Sequence, residues 1–189
     1  MSQEKTLTLP ALTADTADAA GKAVLDKALA QVGFIPNMYA NMVHSPGLLD
    51  TYLDGYSRFR ESSGFTPAEQ EVVFLTISRE NNCHYCVTAH SMIADKMSGV
   101  AADVLQAVRN NQAIADPKLA ALSQFTQRMV ESRGFPSKTD VADFLEVGYS
   151  ERQVLEIVLA MAVKTISNFS NHLFDTPVDE MFSAYQWKG

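Results

Sequence analysis

Residues 64–97 have the sequence GFTPAEQEVVFLTISRENNCHYCVTAHSMIADKM, and this stretch decides the fold. Thr66 is a good N-cap residue, and Pro67 suits the first position of a helix. Glu69 stands three residues after Thr66, so the two side chains can form a capping box. The sequence therefore predicts that a helix starts at this point, and the apolar residues that follow predict that it is buried.

The end of this helix is also marked in the sequence. The pair Asn81–Asn82 forms helices poorly, so the helix is predicted to stop there. A second helix is predicted to begin at Cys83 and to run to about Met97, where Ser98-Gly99 ends it. The stretch thus predicts two consecutive helices, with a break immediately before the cysteine.

The rest of the chain shows the same helical spacing of apolar residues, three and four positions apart. No stretch alternates apolar and polar residues for long, so no sheet is predicted. The fold class predicted from this pattern is all-α. Further helices are predicted at about 18–32, 34–43, 46–63, 101–109, 117–133, 138–146, 151–172 and 177–185.

Composition limits the classes of function. The 189 residues include 15 basic and 22 acidic side chains, which gives a formal net charge of −7. This excludes a generic basic nucleic-acid binder, because phosphate neutralisation needs clustered Lys and Arg. No apolar run reaches the roughly 18 residues of a membrane helix, and the first five residues do not resemble a signal peptide. We therefore expect a cytoplasmic protein with neither nucleic acid nor a membrane as partner.

The predicted organisation is an irregular N-terminal arm, residues 1–15, followed by a single all-α domain, residues 16–189. The domain shows a weak internal repeat, with candidate halves 16–112 and 113–189. In an ungapped alignment of the two helix starts, Gly64 pairs with Gly148 and the cysteine pair falls on serines. Chance similarity between two amphipathic helices is the alternative explanation.

Cys83, Cys86 and His90 are spaced three and four residues apart, so on a helix they lie on one face. In a reducing compartment, a C-x-x-C pair indicates redox chemistry or metal binding. The helix start favours a low pKa for the Cys83 thiol, whereas Cys86 is one turn from His90. Which of the two sulfurs attacks a substrate stays open at this point.

Peroxide reduction needs these residue types. A thiolate attacks the O–O bond and becomes a sulfenic acid, and a second thiol one turn away condenses with it to a disulfide. A histidine can take the thiol proton near neutral pH, and a carboxylate often orients that histidine. Glu71 is the candidate carboxylate, because an acid within the apolar run 72–75 is costly to bury unless it is paired.

Two other interpretations of the cysteines are open. The thiols can be buried and inert, or they can bind zinc together with His84 and His90. Structural zinc sites usually take ligands from two separate segments, and the sequence has no second Cys or His pair. His84 should point away from Cys83 on the helix, so we expect His84 on the surface or at the rim of a site, beside Tyr85.

Glu71, eleven intervening residues and Cys83-x-x-Cys86-x-x-x-His90 resemble the motif of the alkyl hydroperoxidase D-like branch of the carboxymuconolactone decarboxylase superfamily. Further segments resemble its "uncharacterised peroxidase-related" group. They are Phe34-Ile35-Pro36-Asn37, His44-Ser45-Pro46 and the tail 171–180. The resemblance covers about residues 20–185.

The resemblance implies an all-α fold of helix hairpins around the C-x-x-C helix, and a homo-oligomer, commonly a trimer or hexamer. It also implies a thiol-dependent alkyl hydroperoxide reductase, an antioxidant peroxidase that a thiol or lipoyl-type partner re-reduces. In this reading Cys83 and Cys86 are the redox pair, and Glu71 and His90 form the proton relay. No cofactor is expected beyond the cysteine pair, since the sequence lacks nucleotide-binding fingerprints.

One position departs from the family pattern. The residue before the second cysteine is Tyr85, where the family's studied hydroperoxidase has a histidine. The decarboxylase branch lacks the cysteine pair, so lactone decarboxylation is not expected. The rival hypothesis is a non-catalytic oligomeric redox sensor or binding protein that the Cys83–Cys86 disulfide switches.

Overall fold

The structure is a computed structural model that describes residues 6–189, and within this range the chain is helical without any strand. This confirms the predicted all-α class. No helix in the described range is both long and apolar enough to cross a membrane. The helices are α1 (Ala19–Val32), α2 (Asn37–Met42), α3 (Pro46–Ser62), α4 (Pro67–Glu80), α5 (His84–Lys96), α6 (Ala102–Arg109), α7 (Pro117–Glu131), α8 (Lys138–Glu146), α9 (Glu151–Phe174) and a 3₁₀ helix (Glu180–Tyr185).

Helix α4 lies at the centre of the molecule and packs against α5, α6, α7 and α9. Every residue from Glu69 to Arg79 is buried. A helix surrounded in this way must be apolar on most of its circumference, which the run Val72–Leu75 provides. The polar residues on this helix therefore need partners inside the protein, and Glu71 is fully buried among them.

The start of α4 has the predicted capping box. Thr66 accepts a hydrogen bond from the Glu69 amide, and the Glu69 carboxylate accepts one from the Thr66 amide. Ser150 and Gln153 form the same arrangement at the start of α9. Both helices therefore begin with their first free amides satisfied by side chains.

Close packing of α3 on α9 depends on Gly55. A Cβ atom built on Gly55 would lie 2.8 Å from Cγ2 of Val163, which is closer than real Cβ atoms come. The missing side chain lets the two helices approach at this point. The neighbour of Val163 is Lys164, so this contact places α9 where Lys164 can reach the interior.

The helix predicted at 177–185 is wrong in its first part, because only Glu180–Tyr185 is helical and it is a 3₁₀ helix. Asp179 accepts a hydrogen bond from the Asn37 amide at 3.0 Å and another from the Tyr85 hydroxyl. Asn37 also donates to the Pro177 carbonyl at 3.1 Å. These long-range bonds hold the segment in a non-helical form that local sequence does not reveal.

The N-terminal arm is described from residue 6 onward, and residues 1–5 lie outside the described range. Residues 6–15 have no helix and cross the ends of α9 and α2. The amides of Thr6 and Leu7 donate to the Leu173 carbonyl, each at 3.0 Å, and Leu12 donates to Ala40. The division into two repeated halves stays a prediction.

Candidate active site

The break between α4 and α5 has the geometry of a Schellman motif. The Cys83 amide donates to the Ser78 carbonyl at 2.9 Å, and the Asn82 amide donates to the Arg79 carbonyl at 2.8 Å. Asn82 has a φ of 54°, in the left-handed region that asparagine tolerates better than most residues. Cys83 is then the N-cap of α5, so the break sets the direction of the helix that carries both thiols.

Glu71 and His90 meet between α4 and α5, as the motif predicted. Oε2 of Glu71 lies 2.8 Å from Nδ1 of His90, and both side chains are buried. Burial lowers the pKa of His90, and the positive charge of Lys164 lowers it further, although Glu71 opposes this. His90 is therefore a neutral imidazole near neutral pH. Its Nδ1–H donates to Glu71, which leaves Nε2 free to accept a proton.

Arg60 completes the buried carboxylate site, and the sequence did not identify it. Its guanidinium forms an ion pair with Oε1 of Glu71 and donates to the Tyr56 hydroxyl at 2.6 Å. Burial opposes ionisation of Glu71, but the electrostatic interactions with His90 and Arg60, which include a hydrogen bond from each, lower its pKa below the ordinary value. Glu71 is thus held as a carboxylate by two partners rather than one.

The two thiols are buried and unbridged. Nδ2 of Asn171, on α9, lies 3.2 Å from Sγ of Cys86 and 4.0 Å from Sγ of Cys83. It also lies 3.2 Å from the sulfur of Met38. An amide that donates to a sulfur stabilises the thiolate over the thiol, so Asn171 favours ionisation of Cys86.

The environment separates the acidities of the two thiols. Burial raises the pKa of Cys83 well above its ordinary value. Burial also opposes ionisation of Cys86, but the hydrogen bond with Cys83 and the charge of Lys164, followed by His90 and Asn171, hold the pKa of Cys86 well below its ordinary value. Because only the thiolate is a strong nucleophile, this environment favours Cys86 over Cys83 as a nucleophile.

A cavity of about 620 Å³ opens onto this site. Cys86 and His90 line it, whereas Cys83 and Glu71 do not. The lining is mostly apolar and aromatic, and within the described residues it contains no carboxylate. Burial raises the pKa of the tyrosines in the wall, so their hydroxyls stay neutral. The aromatic residues of the wall are Phe34, Tyr39, Tyr52, Tyr56, Tyr85 and Phe182.

The two predicted rim residues have different positions. Tyr85 lines the cavity, is buried, and donates to Asp179. His84 lies outside the cavity lining and is exposed. Nδ1 of His84 is 3.1 Å from the Trp187 carbonyl, so the histidine contacts the C-terminal tail rather than the cavity. Within the described residues, no group of three or more His, Cys, Asp or Glu side chains is arranged to hold a metal ion.

Lys164 also lines the cavity, and the sequence did not identify it as a site residue. Lys164 is only 1% exposed, and its ammonium lies 5.6 Å from the centre of the Phe74 ring. A signal was available, because Lys164 falls on the buried stripe of α9 with Ile157, Ala160 and Ser167. Asn171 continues that stripe. A charged residue in such a stripe indicates a functional partner nearby.

The chain was compared with models of protein families and with curated protein sequences. Residues 46–128 match the model of the carboxymuconolactone decarboxylase family, and this segment includes all four residues of the predicted motif. A search of curated protein sequences found no match to the chain. The matched segment ends within α7, so α9, which carries Lys164 and Asn171, lies outside it.

Solved structures extend the similarity to the whole chain. The AhpD-core, peroxidase-related protein of Ralstonia eutropha JMP134 is 20% identical, with a TM-score of 0.80 over 92% of this chain and 93% of that one. A peroxidase-related protein of Silicibacter sp. TM1040 is 16% identical, with a TM-score of 0.78 over 97% and 96%. A cysteine-to-alanine variant of the debrominase Bmp8, in complex with 2,3,4-tribromopyrrole, is 18% identical, with a TM-score of 0.77 over 97% of each chain.

Residues 46–128 are therefore similar to the carboxymuconolactone decarboxylase family, and the described chain has the AhpD-like fold. The recognition made from the motif is confirmed.

Proposed function

We propose that this protein is a thiol-dependent peroxidase that reduces an organic hydroperoxide, with Cys86 as the attacking thiol and Cys83 as the resolving thiol. One observation carries the proposal. Of the two cysteines only Cys86 lines the cavity, where it shares the wall with His90. A substrate that enters the cavity therefore meets the more acidic sulfur first, and Cys83 stands one helical turn behind it.

The proposed reaction has two steps on the protein. The Cys86 thiolate attacks the outer oxygen of ROOH and the O–O bond breaks, which with one proton gives ROH and a Cys86 sulfenic acid. The Cys83 thiol then attacks that sulfur, releases water and forms the Cys83–Cys86 disulfide. The peroxide gains two electrons and the cysteine pair loses two. A thiol or lipoyl-type dithiol is the proposed reductant that returns them.

The hydrogen bonds of Glu71 and His90 support the proposed proton relay. Glu71 is ionised and accepts from Nδ1 of His90, so the free Nε2 of His90 is the base that passes the Cys86 proton on to solvent and leaves the thiolate in place. His90 can later relay a proton from solvent to the departing alkoxide. Arg60 keeps Glu71 in its carboxylate form during this exchange, so Arg60 is a positioning residue for the relay.

The cavity favours an organic substrate over hydrogen peroxide. Its volume of about 620 Å³ lies in the usual range for small-molecule sites. Its aromatic and methionine side chains offer contacts to an apolar R group and few groups for a small polar peroxide. We therefore propose an alkyl or aryl hydroperoxide as the substrate class.

The decisive experiment measures consumption of cumene hydroperoxide by the purified protein with excess dithiothreitol or dihydrolipoamide. Cys86→Ser should reduce turnover to the background rate. Cys83→Ser, reduced beforehand and then freed of reductant, should consume about one equivalent of peroxide and stop at a sulfenic acid, which dimedone traps. Ser170→Ala is the matched control, since Ser170 occupies the aligned position on α9 and bonds only to the Ile166 carbonyl.

The other interpretations have distinct outcomes in the same samples. Turnover that persists in Cys86→Ser would contradict the proposal. No turnover in any sample, with an oligomeric state that changes on oxidation in size-exclusion chromatography, would support the redox sensor. Stoichiometric zinc in the purified protein would indicate the metal site instead.

Reductive dehalogenation is a second candidate, favoured by the similarity to the debrominase Bmp8 and by the aromatic cavity wall. The Cys86 thiolate would take the halogen from an aryl halide, and a proton would replace it on the ring. Cys83 would then displace halide and form the same disulfide. Release of bromide from a brominated pyrrole, measured beside the peroxide assay, decides between the two activities.

A further inference from the structure

Lys164 is a buried cation, and the Glu71–His90 relay does not supply an anion for it. Its side chain is almost fully buried, and among residues 6–189 no carboxylate oxygen lies within 4.0 Å of its ammonium. The Phe74 ring at 5.6 Å offers only a weak cation–π contact. A buried ammonium is costly unless an anion lies close to it.

Among the charged and titratable groups around the cavity, only one can serve as the anion that Lys164 needs. Arg60 and Glu71 neutralise each other, and no carboxylate of residues 6–189 lines the wall. The neighbouring tyrosines and His90 are neutral near neutral pH. The sulfur of Cys86 lies on the same wall, and Asn171 already donates to it.

We propose that Lys164 is the counter-ion of the Cys86 thiolate and sets the acidity and the redox balance of the cysteine pair. The pair in its reduced form is then one thiol, Cys83, and one thiolate, Cys86. With Lys164 and with the Arg60–Glu71 pair, the buried network is electrically neutral. This inference deepens the proposed function, yet it concerns the thiol itself and can be tested without a substrate.

A redox consequence follows from the same charges. Reduction of the disulfide takes two electrons and one proton and gives one thiol and one thiolate. Oxidation removes the anion and leaves the Lys164 ammonium buried without a partner. Lys164 therefore stabilises the reduced pair relative to the disulfide, which makes the disulfide a stronger oxidant.

The pH dependence of Cys86 must be assigned against every charged or titratable neighbour. Cys83 and His90 face it from its own helix, Tyr52 from α3 and Lys164 from α9. Tyr85 also interacts with it, and Glu71 acts through His90. Only Lys164 among these is a cation without another anionic partner. Its removal should therefore change the acidity of Cys86 more than an equal loss of charge elsewhere.

The test measures the rate of Cys86 alkylation by iodoacetamide against pH, in a Cys83→Ser background so that one thiol reacts. Lys164→Met should raise the midpoint by at least about one pH unit, a tenfold loss of thiolate on the acid side. Lys164→Arg keeps the charge and should keep the midpoint low. Lys22→Met is the control, since Lys22 is exposed and pairs only with Asp26. Lys164→Gln serves if the Met variant does not fold.

A second measurement tests the redox consequence. In the chain with both cysteines, Lys164→Met should shift the equilibrium with dithiothreitol about tenfold toward the disulfide, which corresponds to a potential about 30 mV more negative. This holds whether or not the protein turns over peroxide, so it separates the inference from the proposed function.

An unchanged alkylation midpoint in folded Lys164→Met would overturn the inference. If that variant also raised KM for a carboxylate-bearing hydroperoxide but not for cumene hydroperoxide, Lys164 would be a substrate anchor instead. If peroxide turnover is absent in every sample while the midpoint shifts as expected, the inference stands and the proposed function fails.

Discussion

The helix pair α4–α5 and the single helix α9 begin alike and then diverge. Each starts after a glycine with positive φ, and each has a capping box in which the N-cap oxygen lies 3.3 Å from the third amide. Helix α4 ends after 14 residues, whereas α9 continues for 24. The aligned residues explain the difference in helix length. Asn82 has a left-handed backbone conformation that ends α4, whereas the aligned residue, Ile166, is helical and α9 continues through it.

Because the two regions differ in this way, each contributes different residues to the site. The break in the first region places Cys83 and Cys86 at the start of a new helix. The unbroken second region has serines at those positions. It places Asn171 at the sulfurs and Lys164 in the wall of the same cavity. Two similar helix starts thus lead to different contributions: the break in the first region places the cysteine pair, and the continuous helix of the second places Lys164 and Asn171 at the same site.

The largest expected effect tests the buried acid of the first region. Glu71→Gln leaves the guanidinium of Arg60 without its anion, so we expect a loss of about 3 kcal/mol in the free energy of unfolding. Urea denaturation measures it. The aligned control is Leu155→Gln, because Leu155 is exposed on α9 and its replacement should change stability by less than about 0.5 kcal/mol. Equal losses in both variants would contradict the assigned role of Glu71.

The same pair predicts a pH dependence. The folded protein lowers the pKa of Glu71 below its ordinary value of 4.5, so the unfolded chain binds this proton more readily. The stabilisation by Glu71 is therefore complete above pH 4.5 and is lost as the pH falls through the folded pKa. Wild type should lose this contribution on acidification, and Glu71→Gln should lack that part of the slope in urea titrations between pH 6 and 3.

The sequence predicted the first region better than the second. The capping box, the Asn81–Asn82 break and the spacing of the thiols are local features, so nearby residues determine them. The burial of Glu71 followed from its apolar neighbours. These predictions depend on contacts within about twenty residues of chain.

The contribution of α9 could not be predicted in this way. Lys164 and Asn171 lie about eighty residues from Cys86 in the chain. Tertiary packing, which the Gly55–Val163 contact permits, brings Asn171 to its sulfur and Lys164 to the same cavity. The segment 177–179 was predicted as helix for the same reason, because its hydrogen bonds to Asn37 and Tyr85 are long-range. The sequence also left open which sulfur attacks a substrate, because that proposal depends on where the two sulfurs lie relative to the cavity.

The next effect tests the break itself. Asn82→Val puts a β-branched residue into the left-handed region, so we expect a loss of about 2 kcal/mol and slower alkylation of Cys86 as α5 shifts. Asn82→Gly is the matched control and should remain within about 0.5 kcal/mol of wild type, since glycine adopts this conformation freely. Chemical denaturation and the alkylation rate check both. A stable valine variant would show that the break does not depend on residue 82.

A smaller effect tests the amide that α9 supplies. Asn171→Leu removes the hydrogen bond to Cys86, and a hydrogen bond to a charged group contributes about 1.5 kcal/mol. The alkylation rate of Cys86 near neutral pH should fall about tenfold, with the midpoint raised in proportion. Val87 occupies the aligned position on α5, and Val87→Ala should cost stability through the core without moving that midpoint. If Asn171→Leu left the midpoint unchanged, the side-chain amide of Asn171 would not stabilise the Cys86 thiolate.

The smallest effect concerns the feature that the two regions share. Thr66→Ala and Ser150→Ala each remove an N-cap acceptor with the same 3.3 Å geometry, so each should cost about 1 kcal/mol in urea denaturation. The two losses should agree within about 0.5 kcal/mol and add in the double variant, because each cap serves only its own helix. A much larger loss for Thr66→Ala would mean that its helix start depends on more than the capping box. Glu69 is the residue to examine in that case, since it also accepts from Tyr149 at 2.9 Å and pairs with Lys118.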